Sequence, residues 1–169
     1  MLHVLGFLRI GVVVSFSIQE VFSRPYRVED YEACLTVFET NLPKFFTADE
    51  RNSFQEFLNG PVRERPYLVL EYQGEVIGCG GLALRTERRS AFLSWGMVAQ
   101  PFHGKGLGKL LTEARLELAR AVPEIENVTL NTSQHTQGFY AKYGFQAKTV
   151  TPNGYGPGLD RWDMVLNLR

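Results

Sequence analysis

At 169 residues, 44% of them hydrophobic and 21% charged, the chain has the composition of a globular protein with one sizeable core and no room for two ordinary ones. Its 18 Lys and Arg balance 18 Asp and Glu, a formal net charge of zero that argues against a nucleic-acid partner. Cys34 and Cys79 have neither CxxC spacing nor a disulfide framework, so they read as reduced core thiols of a cytoplasmic protein.

The amino-terminal MLHVLGFLRIGVVVSFS is apolar, but His3 and Arg9 interrupt it and no clear small-x-small cleavage site follows. It is also shorter than the ~20 residues a membrane span needs. No membrane association is expected. Residues 1–22 read as an extension, either an extra strand or a disordered segment, and residues 23–169 as the domain. YRVED (26–30) reads as a short strand ending in acidic residues, followed by a helix over YEACLTVFETNL with Ala33, Leu35, Val37 and Phe38 apolar. Pro43 breaks it, and Thr47 with Glu50 three residues on forms a capping-box pattern opening a second helix that stops at Gly60-Pro61.

Two strands follow, YLVLEY (67–72) and VIGCGGLAL (76–84), joined through Gln73-Gly74-Glu75 as a hairpin. Gly78, Gly80 and Gly81 weaken the second strand and mark a bulge or a close approach to its backbone. SAFLSWGMVA (90–99) is apolar on both faces, as a central strand covered on both sides should be. A helix is predicted next, with Leu107, Leu110, Leu111, Ala114 and Leu118 on one face, ended by Pro123. NVTLN (127–131) reads as a strand, QHTQGFYAKYG as a short helix, and two terminal strands flank the glycine-rich loop PNGYGPG (152–158), either a lid or a plain connection. In the last strand Trp162, Met164 and Leu166 alternate with polar and smaller residues, and Trp95 and Trp162 read as core.

Between the central strand and the long helix stands His103-Gly104-Lys105-Gly106-Leu107-Gly108. A strand running into GxGxG and then a helix leaves first-turn N–H groups unpaired and lets an anion reach the backbone, phosphate being the natural guest. Lys105 or Lys109 adds a mobile charge. The Walker spacing GxxxxGK[ST] fails, and GxGxG past the midpoint of the chain is not a dinucleotide fingerprint.

With GFYAKYGF (138–145) downstream, this loop resembles the GNAT superfamily of acyl-CoA-dependent N-acyltransferases, whose pattern is Gln or Arg, two residues, Gly, one residue, Gly or Ala. His103 stands where that pattern usually has Gln or Arg, and GFYAKYGF matches an aromatic-Tyr-x-x-x-Gly-Phe signature. The resemblance spans about residues 24–169 and implies a mixed α/β fold: a mostly antiparallel sheet of six to seven strands, about four helices, and a V-shaped splay between central strands.

It further implies an acetyltransferase that uses acetyl-CoA as co-substrate, without a metal, to acylate a small-molecule or peptide amine by direct attack in a ternary complex. The alternative is a non-catalytic acyl-CoA-binding or regulatory module. Pantetheine would pair with the backbone of Met97, Val98 and Ala99, and the pyrophosphate would sit on amides of His103, Gly104, Lys105, Gly106, Leu107, Gly108 and Lys109. Tyr140 takes the general-acid position that protonates the departing thiolate, Tyr143 is packing, and Asn131 contacts the cofactor arm. Ser133 occupies a position that is usually Asn. Glu71 and His135 are weighed as general base, but surface or capping roles suit both, and the base stays unassigned. Arg85, Arg88 and Arg89 read as a solvated turn, and assembly with a second copy stays open.

Overall fold

The computed structural model describes residues 16–169, so most of the expected extension, residues 1–15, lies outside the described residues. Among the described residues seven strands form one sheet in the order β1-β2-β3-β4-β5-β7-β6. The strands are β1 (Val21–Pro25), β2 (Tyr67–Tyr72), β3 (Glu75–Arg85), β4 (Ser90–Val98), β5 (Asn127–Thr132), β6 (Gln146–Gly156) and β7 (Leu159–Asn167). The helices are α1 (Tyr31–Glu39), α2 (Glu50–Asn59), α3 (Leu107–Arg120) and α4 (Gln137–Ala141). All neighbouring strands are antiparallel except β4 and β5, which α3 connects in parallel. No helix among the described residues is long and apolar enough to cross a membrane.

Alternation along β2 separates the two layers, because successive side chains leave a strand on opposite faces. Val69 joins Cys34, Leu35, Phe38, Phe54 and Phe57 under α1 and α2. Its neighbour Leu70 instead joins Leu107 and Leu111 of α3. Further along α3, Leu116 and Ala119 pack with Leu82, Leu93, Val128 and Met164. Cys34 and Cys79 are both buried free thiols.

Three local expectations are corrected. The first strand is Val21–Pro25, not 26–30, because β1 pairs along the edge of β2 from Val21 opposite Tyr72 to Pro25 opposite Leu68. Within the segment read as strand, Val28–Asp30 is a one-turn 3-10 helix, and Asp30 turns back to accept a hydrogen bond from the Arg27 N–H at 2.8 Å. The glycine-rich stretch 152–158, read as a lid or a plain connection, is largely extended: β6 runs on to Gly156, with residues 152–155 bulged out of register between the Thr151–Arg161 and Gly156–Leu159 pairs, and Pro157 and Gly158 turn the chain into β7. Leu118 is 37% exposed, whereas Thr112 and Arg115 take the inner face of α3.

Other local signals are read as built. Gln73 and Gly74 both have positive φ (51° and 83°), the two-residue hairpin turn whose twist matches the strands it joins. The Glu50 carboxylate accepts from the Thr47 N–H at 2.8 Å, the reciprocal arm of the capping box, although the regular helix starts only at Glu50.

Candidate active site

β4 and β5 pair only from Ser90 opposite Asn127 to Leu93 opposite Leu130. Beyond that point both strands continue unpaired with each other, and a cleft of about 490 Å³ opens between them. A bulge shapes the β4 wall: Cys79 lies opposite Met97 and Gly81 opposite Ser94, so Gly80 alone faces Trp95 and Gly96. Trp95 holds φ at 47°, a conformation that costs a bulky residue about 1–3 kcal/mol and clusters at functional sites.

Met97, Val98, His103, Gly104, Gly106, Gly108, Lys109, Asn131 and Tyr140 all line this cleft. Three of the expected residues keep their side chains out of it, although the N–H groups of Lys105 and Leu107 stay among the unpaired amides of the loop. The Ala99 N–H donates to the Ile77 carbonyl at 2.8 Å and belongs to the sheet. The Leu107 side chain is buried in the core with Leu111 and Val98. Lys105 holds its ammonium over the rings of Phe16 (4.6 Å) and Phe102 (5.3 Å), drawn by their π faces.

The loop presents bare, unpaired backbone amides. Gly104 and Gly106 have φ of 75° and 83°, where a β-carbon is strained, and Gly106 is the residue from which α3 starts. From Gly104 to Lys109 the N–H groups meet no acceptor among the described residues; the first one to close is Leu110, onto the Gly106 carbonyl at 3.1 Å. Unpaired amides at the positive end of a 14-residue helix attract negative charge. Gly108 differs from the other two, lying within α3 at a spot where an added β-carbon would meet Phe139 of α4 at 3.5 Å.

His103, the departure from the motif, has a local task, and its backbone N–H, expected under the pyrophosphate, instead donates to the Gln100 carbonyl at 3.1 Å. Its Nε2–H donates to the Val98 carbonyl at 2.8 Å, so the proton is on Nε2. Asn41, buried at the end of α1, donates to the same carbonyl at 2.9 Å and to the Val37 carbonyl at 2.9 Å. Together they tie the end of β4 to α1 and to the glycine loop, and they occupy a carbonyl that a ligand strand would otherwise use.

Tyr140, half-buried, packs edge-on against Phe139 and Phe145, and its hydroxyl has no hydrogen-bond partner among the described residues. Tyr143 instead packs against Phe139 away from the cleft, and burial pushes its hydroxyl pKa up. The Asn131 amide donates to the Asp163 carboxylate, while buried Ser133 accepts the His135 N–H at 3.3 Å. Neither residue weighed as base is in the cleft: Glu71 is paired with Arg24 at 2.6 Å on the β1–β2 side, and His135 is exposed.

Sequence reading missed several lining residues. Phe46 and Trp95 stack at 6.2 Å, and Glu50 and Tyr155 join them in the cleft lining. Burial pushes Tyr155 up to about 12, so its hydroxyl stays protonated at neutral pH. Arg115 is 2% exposed and lies against the backbone of Gly80 and Gly96. The strand glycines were the signal available for it: an ideal β-carbon on Gly96 would sit 2.5 Å from Arg115 Nη1, and one on Gly80 3.1 Å from it.

Comparison with known proteins agrees with this geometry. A model of the acetyltransferase (GNAT) domain family matches residues 30–168. An uncharacterized N-acetyltransferase of Chlorobaculum tepidum is 34% identical over 84 residues, 48% of this chain and 50% of that protein, so the chain spans about half the length of this curated relative. An acetyltransferase assigned to the GNAT family in Desulfovibrio desulfuricans superposes with a TM-score of 0.74 at 21% identity, covering 88% of this chain and 99% of that one. A Salmonella typhimurium structure described as an acetyltransferase with its cofactor acetyl-CoA has a TM-score of 0.69 at 19% identity, covering 88% and 94%. At these identities the superpositions show the fold, and the family match covers most of the sequence: the chain belongs to the GNAT acetyltransferase family.

Proposed function

We propose that this protein transfers an acetyl group from acetyl-CoA to the primary amine of a small molecule or peptide, within a ternary complex. The observation that carries the reading is one continuous cleft, bordered by the unpaired amides of residues 104–109 and lined by Tyr140, whose hydroxyl is unpartnered. The residues present fit the cofactor's charged part: Gly104 has nothing within 4 Å of where a β-carbon would stand, so a phosphate meets bare backbone there. Amides of Gly104 to Lys109 hold the pyrophosphate, and Lys109, half-engaged with Glu113 at 3.8 Å on the exposed helix surface, adds a screened charge.

When bound, the cofactor supplies an activated thioester carbonyl. The acceptor nitrogen bonds to that carbonyl carbon, the carbon–sulfur bond breaks, and one proton passes in net from nitrogen to sulfur. Tyr140 gives its hydroxyl proton to the departing sulfur and is reprotonated from solvent by the proton the nitrogen releases. An amine of ordinary basicity, near 10.4, costs roughly 4–5 kcal/mol to deprotonate at pH 7, so the acceptor side must favour the neutral form. The half-buried aromatic wall of Phe46, Trp95 and Tyr155 suits that task by desolvating the amine, and Glu50 beside it attracts the incoming cation.

Tyr140→Phe tests the reading. Coenzyme A affinity should be unchanged while turnover of an amine panel falls about 10²–10⁴-fold. Unchanged turnover would remove Tyr140 from the chemistry, and coenzyme A binding with no turnover of any amine by the wild type would favour a binding module.

A further inference from the structure

Arg115 stands on the third turn of α3 with its side chain directed at the sheet and 2% exposed. A guanidinium carries five N–H donors and a permanent charge. Its Nε donates to the Leu111 carbonyl at 3.2 Å and its Nη2 reaches Thr112 Oγ1 at 3.5 Å; Nη1 has no partner among the described residues. None of the ion pairs among those residues involves Arg115. Glu50 is the cleft-lining carboxylate among them, and it does not come within ion-pair distance of Arg115. A buried, charge-unpaired arginine is costly to a fold, and protein interiors tolerate such groups mainly where a counter-ion completes them.

Two strands make room for it. Gly80 and Gly96 leave the sheet bare where the guanidinium lies, and the bulge at Trp95–Gly96 brings that spot to the cleft wall, of which Arg115 forms part. The geometry points to a carboxylate receptor: we infer that the ligand seated in the cleft carries a carboxylate that Arg115 binds through Nη1 and Nη2, with Thr112 beside it. This rests on the acyl-transfer reading and narrows it. The carboxylate belongs either to the acceptor, as in an α-amino acid, or to the acyl group, as in a thioester of a dicarboxylic acid.

The test measures binding and turnover on the full chain. Coenzyme A, acetyl-CoA, butyryl-CoA and succinyl-CoA are titrated calorimetrically; separately, amino acids and their decarboxylated amines are compared as acceptors with acetyl-CoA. If the acyl group is the source, succinyl-CoA binds at least about tenfold tighter than butyryl-CoA, as a charge-assisted fork on a carboxylate should give. If the acceptor is the source, the amino acid lowers KM at least about tenfold against its decarboxylated amine. Either preference disappears in Arg115→Met and is reduced but kept in Arg115→Lys, which retains the charge without the fork. Should Arg115→Met not fold, the wild-type preference and its reduction in Arg115→Lys decide the matter. Coenzyme A binding with no carboxylate preference in either arm overturns the proposal alone. Failure of coenzyme A itself to bind overturns both the proposal and the acyl-transfer reading beneath it.

Discussion

Replacing Gly104, Gly106 and Gly108 by alanine one at a time separates glycines that look equivalent in sequence. At Gly106, φ is 83° and the new methyl would lie 3.1 Å from Ile18 Cδ1, a contact that makes the neighbour give way. Left-handed backbone costs an L-residue about 1–2 kcal/mol, to which the crowding at Ile18 adds a fraction of a kcal/mol. At Gly104, φ is 75° but nothing lies within 4 Å, so only the backbone cost remains. Gly108 is already helical, and its methyl would meet Phe139 at 3.5 Å, an ordinary contact, while alanine gains up to about 1 kcal/mol in helix propensity. For a chain of this size 1 kcal/mol moves Tm by about 2–4 °C. Thermal unfolding should therefore show Gly106→Ala lowered by about 3–10 °C, Gly104→Ala by about 2–8 °C, and Gly108→Ala unchanged or raised by up to about 4 °C. Repeating the melts with coenzyme A at 100 times its Kd should add about 2.7 kcal/mol to wild type and much less to Gly106→Ala, whose loop no longer presents the same amides. A Gly108→Ala loss as large as that of Gly106→Ala would refute the argument from φ, and a full coenzyme A shift in Gly106→Ala would refute the assignment of the loop to phosphate.

Two further substitutions test the packing around this frame. Tyr26 has a buried hydroxyl without a partner among the described residues, and burial pushes its pKa up to about 12. Tyr26→Phe should raise stability by about 1–3 kcal/mol in urea denaturation, and a loss would show that the hydroxyl is satisfied in solution. Asp30 is held below its ordinary value of 3.8, first by hydrogen bonds from Arg24, at 2.7 and 2.9 Å. Its contribution is fully present above the unfolded value and is lost as pH falls through the lowered folded one. Asp30→Asn should cost about 1.5–3 kcal/mol at neutral pH, with the gap to wild type closing as the pH of the denaturation series falls below about 4. A gap independent of pH would place the effect in packing instead of charge.

What the amino-acid sequence determined by itself was the part governed by local rules. The span Leu107–Arg120 follows from apolar periodicity and the Pro123 stop, and the Gln73-Gly74 turn from two residues able to take positive φ. The glycine loop whose amides stand unpaired ahead of α3 follows from a strand, alternate glycines and a helix start in sequence. Tertiary structure decided what depends on partners distant along the chain. The first strand lies at Val21–Pro25 because the edge of β2 was there to pair with, and β6 reaches Gly156 as an extended strand whose residues 152–155 bulge out of register between the Thr151–Arg161 and Gly156–Leu159 pairs with β7. The cleft exists because β4 and β5 stop pairing after Leu93 and Leu130, which no pattern within either strand announces. Periodicity alone placed Leu118 inside and passed over Arg115, yet the fold exposes the leucine and buries the arginine. The reason is steric and electrostatic together: Gly80 and Gly96, brought side by side by the β3–β4 bulge, leave room for a planar cation that one-dimensional hydrophobicity assigns to solvent.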